Sequence, residues 1–426
     1  MEIYVVRTGD TLYNIARAFG VSPVRLAYDN QVASEEYLVP GQALLILYPE
    51  LVHVVKPGET VEEIAGEYQV SAKQIYRNNP FLLDRMYLAA GQQIVITYEG
   101  DAVRQKREVT GYVYPFVAGY ILREALLYVD DLLIFSYGFT AQGALIPPQI
   151  PEDWLLREAV QFDVRPILVL TPFSGAGVFD NNLVKLVTEN SQVQQNLIAA
   201  LLQTVREKGY AGVDVDFEYI LPEDRAGYAE FVAALRGVMS ANGYTVSVAL
   251  APKTSADQRG LLYEGMDYPL LGEAADSVFL MTYEWGYTYG PPMAVAPINK
   301  VRQVLDYAVT AIPREKIIMG IPNYGYDWAL PYNRGVSRAD LIGNVEAVRI
   351  ASENGAQIEF DETAQSPYYN YWRQGAEHEV WFEDVRSIRT KLETVSEYGF
   401  RGFGYWNLMR PFRANWLLVN GMLENV

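Results

Sequence analysis

Three carboxylic acids stand at every second position of one short stretch of the chain. In GVDVDFE (212–218), Asp214, Asp216 and Glu218 alternate with apolar residues. Alternation with a period of two sorts side chains onto the two faces of a β-strand, so the three acids share one face. Carboxylates held close together repel one another and separate their pKa values, which keeps one of them protonated near neutral pH. The stretch therefore predicts a site of general acid catalysis.

Two other structures also space acids by two residues. An EF-hand calcium loop needs glycine at its sixth position and glutamate at its twelfth. Counted from Asp214, those positions hold Tyr219 and Arg225, so the loop does not fit. A solvated edge strand with an acidic face remains the alternative to a functional site.

The elements that would position these acids form a regular series. Apolar runs alternate with helical segments such as 193–208 and 228–242, which predicts an α/β fold, a (β/α)8 TIM barrel. In such a barrel the active site lies at the carboxyl ends of the strands, so we expect Glu218 at the mouth, above Asp216 and Asp214. The eight runs lie at 109–116, 131–139, 165–173, 212–218, 245–252, 277–285, 316–326 and 402–408.

The first hundred residues contain a repeat. Residues 4–30 align with residues 53–79 at an offset of 49, and residues 40–47 align with residues 90–97 at an offset of 50. Each copy has the pattern strand, helix, helix, strand. A fixed period near 50 residues indicates two copies of one module.

Each copy resembles the LysM module, a βααβ unit that binds N-acetylglucosamine-containing glycans such as peptidoglycan and chitin. The resemblance rests on the V-x-x-G-[DE]-T start, a mid-module asparagine and a late Gly-Gln pair. It implies a shallow glycan groove between the first turn and the loop after the second helix. The groove residues would be Gly9, Asp10, Thr11 and Asn30 in the first copy, and Gly58, Glu59, Thr60 and Asn79 in the second. The alternative is that the threonines and asparagines cap helices and fix turns.

These patterns predict the domain boundaries. The two modules occupy residues 1–49 and 50–98, and a charged linker covers 99–108. The barrel occupies 109–426. A connection of about 55 residues is too long for a loop, so we expect a small α+β insertion at 326–380, after the seventh strand.

The barrel region resembles glycoside hydrolase family 18, the chitinase family. GVDVDFE matches the D-G-x-D-x-D-x-E pattern of the family's fourth strand, although Ala211 replaces the first aspartate. MTYE (281–284), GIPNYGYDW (320–328) and GFGYWNL (402–408) match the motifs of strands six, seven and eight. The chain also departs from the family where Glu284 replaces aspartate. A further departure is TPFS (171–174), which stands where the family has Ser-x-Gly-Gly.

The resemblance implies substrate-assisted retaining catalysis, in which the carbonyl oxygen of the sugar's own 2-acetamido group is the nucleophile. Glu218 would be the general acid, Asp216 would orient the acetamido group, and Asp214 would share protons with Asp216. Tyr283 would hydrogen-bond the acetamido oxygen, and Trp406 would stack under the sugar unless it is a core residue. Further substrate-binding candidates from the same motifs are Asn323, Tyr324, Glu284 and Asp327. No metal and no cofactor is implied.

Charge and composition exclude several classes of partner. The chain has 34 basic and 52 acidic residues, a net charge of −18, which is unsuited to a nucleic acid or to an electrostatic membrane anchor. No apolar run approaches the ~18 residues that span a bilayer. The chain has no cysteine, which excludes disulfides and thiolate chemistry. The chain has only two histidines, His53 and His378, which argues against a histidine-rich metal centre and against a Ser-His-Asp triad.

The order of two LysM modules and a family 18 domain resembles the spore cortex-lytic enzymes of endospore-forming bacteria. The start MEIYVVRTGDTLYNIA lacks the pattern of a signal peptide. Together these features imply synthesis in the mother cell and deposition at the spore coat and cortex, where spore coat proteins are candidate partners.

The resemblance also implies a substrate and a role. In cortex peptidoglycan many muramic residues are lactams without an N-acetyl group, so the bond after N-acetylglucosamine is the expected target during germination. A chitinase or chitooligosaccharide hydrolase is one alternative. A non-catalytic glycan-binding spore coat protein is the other.

Overall fold

Each amino-terminal repeat folds as strand, helix, helix, strand, as the sequence predicts. The computed structural model describes residues 1–33, 38–83, 85, 87–100, 105–173 and 179–425. The first copy consists of β1 (Glu2–Val5), α1 (Leu12–Phe19), α2 (Pro23–Asp29) and β2 (Ala43–Ile46). The second consists of β3 (Pro49–Val54), α3 (Val61–Tyr68), α4 (Ala72–Asn78) and β4 (Gln93–Tyr98). Both strand pairs are antiparallel, and each module has its own small apolar core.

Strands and helices alternate through the next two hundred residues. The strands are β5 (Gln105–Val113), β6 (Asp131–Phe139), the short β7 (Leu145–Ile146), β8 (Arg165–Leu170), β9 (Gly212–Val215), β10 (Thr245–Leu250), β11 (Ser277–Leu280) and β12 (Ile317–Pro322). The helices are α5 (Gly119–Leu126), α6 (Asp153–Gln161), α7 (Asn181–Glu189), α8 (Ser191–Lys208), α9 (Arg225–Ser240), α10 (Tyr268–Ala274) and α11 (Ile298–Ala311). Among the described helices, none has the length and apolar character needed to cross a membrane.

An α+β insertion follows the seventh barrel strand, as the sequence predicts. It consists of β13 (Gly325–Ala329), β14 (Asp340–Ile342), α12 (Asn344–Glu353), β15 (Glu359–Asp361), β16 (Ser366–Arg373) and β17 (Ala376–Trp381). Its strands form an antiparallel sheet in the order β14-β13-β17-β16-β15. The chain then continues through α13 (Val385–Tyr398), β18 (Gly402–Trp406), α14 (Arg413–Met422) and β19 (Leu423–Asn425).

The barrel closes because its first strand pairs with both the second and the last. The parallel order is β5-β6-β8-β9-β10-β11-β12-β18, and β18 returns to β5. These eight strands match the eight apolar runs of the sequence, so the predicted TIM barrel is confirmed. The strand β5 begins at Gln105, inside the stretch predicted as a linker, and residues 101–104 of that stretch lie outside the described residues.

Candidate active site and the two modules

The three acids lie at the carboxyl end of the fourth barrel strand. Hydrogen bonding in β9 ends at Val215, so Asp214 projects from the strand while Asp216 and Glu218 follow it. The backbone N–H of Asp216 still donates to Leu170 O of β8 at 2.9 Å, which continues the strand direction. Asp214 and Asp216 are buried and Glu218 is half-buried. The acids therefore run from the barrel interior to its mouth.

Two hydroxyl groups hold the deepest acid. Ser247 Oγ donates to Asp214 Oδ1 at 2.6 Å, and Tyr112 OH donates to Asp214 Oδ2 at 2.8 Å. Burial raises the pKa of Asp214, and these two donors oppose that rise by stabilising its charged form. Tyr112 and Ser247 are not among the residues that the sequence predicts for the site. The available signal was that each places a hydroxyl within a buried strand run, on the face that points into the barrel.

The middle acid has unused hydrogen-bonding capacity. Asp216 Oδ1 is buried and has no hydrogen-bond partner among the described residues. Burial raises the pKa of Asp216 well above its usual range, and the charges of Glu218 and Asp214 raise it further. An unsatisfied buried carboxylate oxygen costs free energy that a ligand donor can recover. Asp216 is therefore prepared to accept an N–H from a bound substrate.

The outer acid has the protonation that a general acid needs. Burial, followed by the negative charge of Glu284, raises the pKa of Glu218 to about 7. A group with this pKa holds a proton through much of the neutral range and can donate it. Repulsion within the row of three acids is therefore not the main cause, contrary to the sequence-based expectation. Burial contributes most, and the nearby charge of Glu284 adds to it.

Two tyrosines hold Glu284 in place. Tyr324 OH donates to Glu284 Oε1, and Tyr326 OH donates to the same oxygen at 3.0 Å. Glu284 has a positive φ of 66°, an uncommon conformation for a residue with a side chain. Burial raises the pKa of Glu284, while both tyrosine hydroxyls lower it. The structure thus brings together Glu218, Glu284 and Tyr324 as the sequence suggested, and adds Tyr326.

Aromatic rings form the floor of the site. Trp406, at the end of β18, has ring centroids 5.3 Å from both Tyr112 and Phe135. Tyr283 follows β11, and a Cβ on Gly320 would lie only 2.8 Å from its ring. Glycine at this position therefore makes room for Tyr283. Burial and the charge of Asp216 raise the pKa of Tyr283, so its hydroxyl stays protonated and can donate.

Two of the predicted substrate-binding residues use their side chains for hydrogen bonds to other residues of the protein. Asn323 is buried, and its side-chain amide donates to the carbonyl oxygens of Asn407 and Arg410 at 3.1 and 3.0 Å. Asp327 accepts from Tyr371 OH at 2.5 Å, and its other oxygen lies 2.8 Å from His378 Nδ1. Asn323 therefore anchors the loop after β18. Asp327 belongs to the insertion sheet rather than to the group around Glu218.

The residues predicted for the module grooves mainly fix local structure. Asp10 accepts from Tyr4 OH and from the backbone N–H of Arg7, both at 2.7 Å, and Glu59 plays the same part in the second copy. Thr11 and Thr60 are the N-caps of α1 and α3. Gly9 and Gly58 have φ of 89° and 86°, a turn conformation that favours glycine.

The mid-module asparagines join the second helix to the second strand. Asn79 Nδ2 donates to Ile75 O and Val95 O, and its Oδ1 accepts from Val95 N at 2.9 Å. Asn30 makes the equivalent three bonds, to Leu26 and Leu45. Both asparagine side chains thus join elements of their own modules, and Asn79 Oδ1 also accepts from Arg25 Nη1 of the first module at 3.2 Å.

Both modules pack against the outside of the barrel. Asn420 Nδ2 on α14 donates to Asn78 Oδ1 at 2.8 Å. Arg413, also on α14, donates to Tyr28 O at 3.0 Å and stacks on the Tyr28 ring at 3.8 Å. The backbone N–H of Arg413 reaches Gln31 Oε1 at 2.6 Å. The chain around the end of the second helix, one side of each implied groove, therefore contacts the barrel, while Gly9, Thr11 and their second-copy counterparts stay exposed.

A TIM barrel with a row of carboxylates at the end of its fourth strand, beside a cluster of aromatic rings, is typical of a glycoside hydrolase. The family model of glycosyl hydrolases family 18 matches residues 170–410, and the LysM domain model matches residues 4–46 and 53–97. The chain belongs to glycosyl hydrolase family 18 and carries two LysM domains.

Relatives share this whole architecture. The chain is 35% identical over 445 residues to the cortical fragment-lytic enzyme of Bacillus subtilis (strain 168), covering 100% of this chain and 99% of the relative. The crystal structure of the Bacillus cereus spore cortex-lytic enzyme SleL superimposes with a TM-score of 0.83 at 34% identity, covering 100% of this chain and 98% of the other. The SleL structure from Bacillus megaterium QM B1551 gives 0.84 at 33% identity, with the same coverage.

Proposed function

We propose that the chain hydrolyses spore cortex peptidoglycan at the bond after N-acetylglucosamine, with retention of configuration. Its full-length similarity to enzymes named for lysis of cortex or of cortical fragments supports the substrate and a spore-associated role in germination. The observation that carries the chemistry is the row Asp214, Asp216 and Glu218 at the barrel mouth, in which the pKa of Glu218 is about 7.

The first step cleaves the glycosidic bond. Glu218 donates its proton to the glycosidic oxygen, and the leaving sugar departs with that oxygen as a hydroxyl group. The carbonyl oxygen of the 2-acetamido group bonds to the anomeric carbon at the same time and forms a cationic oxazolinium ring. Asp216 Oδ1 accepts the acetamido N–H, and Asp216 passes its own proton to Asp214, so that the negative charge left on Asp216 stabilises the cation. Asp214 supplies the third carboxylate of the row and is held by Tyr112 and Ser247.

The second step opens the oxazolinium ring, as the bond between the acetamido oxygen and the anomeric carbon breaks. Glu218, now a carboxylate, takes a proton from water while the water oxygen attacks the anomeric carbon, so Glu218 recovers its proton. Two inversions at this carbon retain the configuration. Tyr283 donates to the acetamido oxygen and holds it near the reacting carbon, and Trp406 supports the sugar ring from below.

Digestion of purified cortex tests the proposal. Wild-type protein should release fragments whose new reducing end is N-acetylglucosamine, as read by mass spectrometry after borohydride reduction. Glu218→Gln keeps the size of the side chain but has no proton to donate, so the rate should fall about 1,000-fold. Equal product from both proteins would contradict the catalytic role of Glu218. New reducing ends on muramic acid would contradict the assigned bond.

The LysM domains support binding to N-acetylglucosamine-containing glycan. We assign this binding to the exposed first turns around Gly9, Thr11, Gly58 and Thr60, because the opposite side of each groove contacts the barrel. Thr11→Asn and Thr60→Asn keep an N-cap while changing this surface. In the Glu218→Gln background they should weaken sedimentation with cortex, whereas unchanged sedimentation would contradict the assignment.

Synthesis in the mother cell and binding to spore coat proteins remain proposals from the sequence.

A further inference from the structure

A polar cavity lies inside the barrel, beneath the row of three acids. It has a volume of about 270 Å³. Four of the residues that line it, Asp131, Arg165, Thr245 and Ser277, are the first residues of their strands, so the cavity lies at the amino-terminal end of the barrel, opposite the mouth. Bulky branched side chains normally fill the interior of a TIM barrel. Here ten of the fourteen lining residues are polar or charged, so this space suits water rather than an apolar core.

The outer end of the cavity lies at two ion pairs. Arg165 Nε lies 2.7 Å from Asp131 Oδ1, and Arg401 Nη2 lies 2.7 Å from Glu108 Oε2. The two arginine side chains are 46% and 32% exposed, so solvent reaches this end. Burial raises the pKa of Asp131 to about 7, against the opposing charge of Arg165. Asp131 can therefore take up and release protons at neutral pH.

The inner end of the cavity reaches the deepest acid. Asp214 and Ser247 both line the cavity, and Ser247 is half-buried whereas Asp214 is fully buried, so a water-sized molecule can contact Ser247 from below. The sheet register places Asp214 four residues further along β8 than Asp131, a distance of about 13 Å that a few water molecules can span. The remaining charged residue of the lining, Asp276, pairs with Arg236 at 2.6 Å.

A buried hydroxyl group in the cavity wall lacks a partner. Thr110 lines the cavity beside Asp131, and its Oγ1 has no hydrogen-bond partner among the described residues. A Cβ on Gly404 would lie 2.1 Å from this oxygen, so the glycine leaves room for the hydroxyl group. Buried hydroxyl groups are normally satisfied by protein groups or by ordered water. A water molecule in the cavity would supply the missing partner of Thr110.

The proposed cleavage makes a buried group take up a proton. Asp216 passes its proton to Asp214 as the oxazolinium cation forms, while the sugar covers both acids from above. An enzyme that captured a glycan with the wrong number of protons on this pair would have to release the glycan before it could react. Release of a polymer that the modules also hold is slow, so a second route for protons has a use.

We propose that water in this cavity forms a proton path from the amino-terminal face of the barrel to Asp214, so that Asp214 and Asp216 exchange protons with solvent while substrate covers the mouth. The inference rests on the proposed function and adds a proton route to that same site. In uptake, a cavity water gives a proton to Ser247 Oγ, which gives its own hydroxyl proton to Asp214 Oδ1 across the 2.6 Å hydrogen bond. The water regains a proton along the chain from solvent, so one proton moves and no electron is transferred. Thr110 positions the water, and Asp131 exchanges protons with solvent.

Hydrogen–deuterium exchange with the mouth blocked tests this path. The full chain binds a disaccharide whose N-acetylglucosamine end carries a thiazoline ring, a stable analogue of the oxazolinium ring, and is then mixed rapidly with D2O. Infrared spectroscopy follows the carbonyl stretch of protonated aspartate, which shifts on deuteration, and Asp214→Asn identifies the Asp214 band by its loss. In the wild type this band should shift faster than the analogue dissociates, as measured by displacement.

Two variants obstruct the path. Thr110→Val removes the hydroxyl group but keeps the shape of the side chain, and the double variant with Ser277→Val makes a second lining position apolar. Exchange should slow by roughly 10-fold in the double variant, because water loses two hydrogen-bond partners. Thr394→Val is the matched control, because Thr394 is also buried but bonds to Thr390 O on α13 and does not line the cavity. It should keep the wild-type rate.

Each outcome decides a different claim. Exchange in the wild type that is no faster than dissociation of the analogue would overturn the path and leave cortex hydrolysis standing. The same holds for exchange that the double variant leaves unchanged while thermal unfolding shows it to be folded. Failure of the wild type to bind the analogue would contradict the substrate-assisted mechanism, and the inference with it. The wild-type comparison does not depend on the folding of any variant.

Discussion

At the scale of single residues, burial rather than mutual repulsion sets the state of the acids. Asp214 is buried but has two hydroxyl donors, whereas Asp216 is buried with one oxygen unpartnered among the described residues. Glu218, nearer the solvent, still has a pKa of about 7. One strand thus presents three carboxylates in three environments. This difference allows Glu218 to donate a proton while Asp216 stabilises a cationic intermediate.

Removal of the Ser247 hydroxyl tests the support of Asp214. Ser247→Ala leaves Asp214 with Tyr112 as its one remaining hydroxyl donor among the described residues, so its charged form is less stable and the sharing of protons with Asp216 changes. We expect kcat on cortex fragments to fall about 10-fold with little change in KM, and the acidic limb of the pH profile to move to higher pH. Ser247→Thr, which keeps a hydroxyl, should retain most of the activity. An unaltered pH profile in Ser247→Ala would contradict this positioning role.

The charge of Glu284 should be visible in the basic limb of the pH profile. Glu218 donates a proton, so kcat/KM should fall as the pH rises through its pKa of about 7. Glu284 raises that pKa, and Glu284→Gln removes the charge while keeping an oxygen for Tyr324 and Tyr326. The basic limb should therefore move to lower pH. A limb that stays in place would show that burial alone determines the pKa of Glu218.

At the scale of elements, most of the regular secondary structure could be predicted from the sequence. Buried parallel strands read as continuous apolar runs, so all eight barrel strands and the insertion could be placed. The partners of Asp214 could not, because Tyr112 and Ser247 lie on other strands, 102 and 33 residues away in the chain. The engagement of Asp327 by Tyr371 and His378 likewise depends on the register of the insertion sheet, which apolar patterning does not specify.

The helix α13 depends on a buried ion pair. Lys391 Nζ lies 2.8 Å from Glu383 Oε2, and both side chains are 1% exposed. Lys391→Met would leave a buried carboxylate without its cation and should lower the free energy of unfolding by about 3–5 kcal/mol in urea denaturation at neutral pH. The loss should shrink as the pH falls, because burial already raises the pKa of Glu383 and the protonated form carries no charge.

The double variant controls for packing at this pair. Glu383→Leu combined with Lys391→Met replaces both charges with apolar side chains, and its stability should return to within about 1–2 kcal/mol of wild type. If the double variant were as unstable as Lys391→Met, the loss would come from packing of α13 rather than from the isolated charge.

At the scale of the whole molecule, the modules and the barrel share an interface centred on α14. Asn420 and Arg413 of this helix bond to the second and first modules respectively, and Arg25 links the modules by donating to Tyr98 OH at 2.8 Å. Helix α13 adds a bond from Arg386 to Gly41 O at 3.2 Å. The modules therefore present their exposed first turns in a fixed orientation relative to the barrel. A glycan bound by the modules is therefore held in a fixed orientation relative to the barrel that cleaves it.

This interface predicts cooperative unfolding of modules and barrel. Arg413 pairs with Glu124 at 2.9 Å and stacks on Tyr28, so Arg413→Ala removes both an ion pair and a ring contact. In calorimetry the wild type should unfold in one transition, whereas Arg413→Ala should lose about 3 kcal/mol and develop a separate, earlier transition for the modules. Arg389→Ala, which breaks an exposed pair with Glu393, should change stability by less than about 0.5 kcal/mol. Two transitions already present in the wild type would show that the contacts with α14 do not join the modules to the barrel energetically.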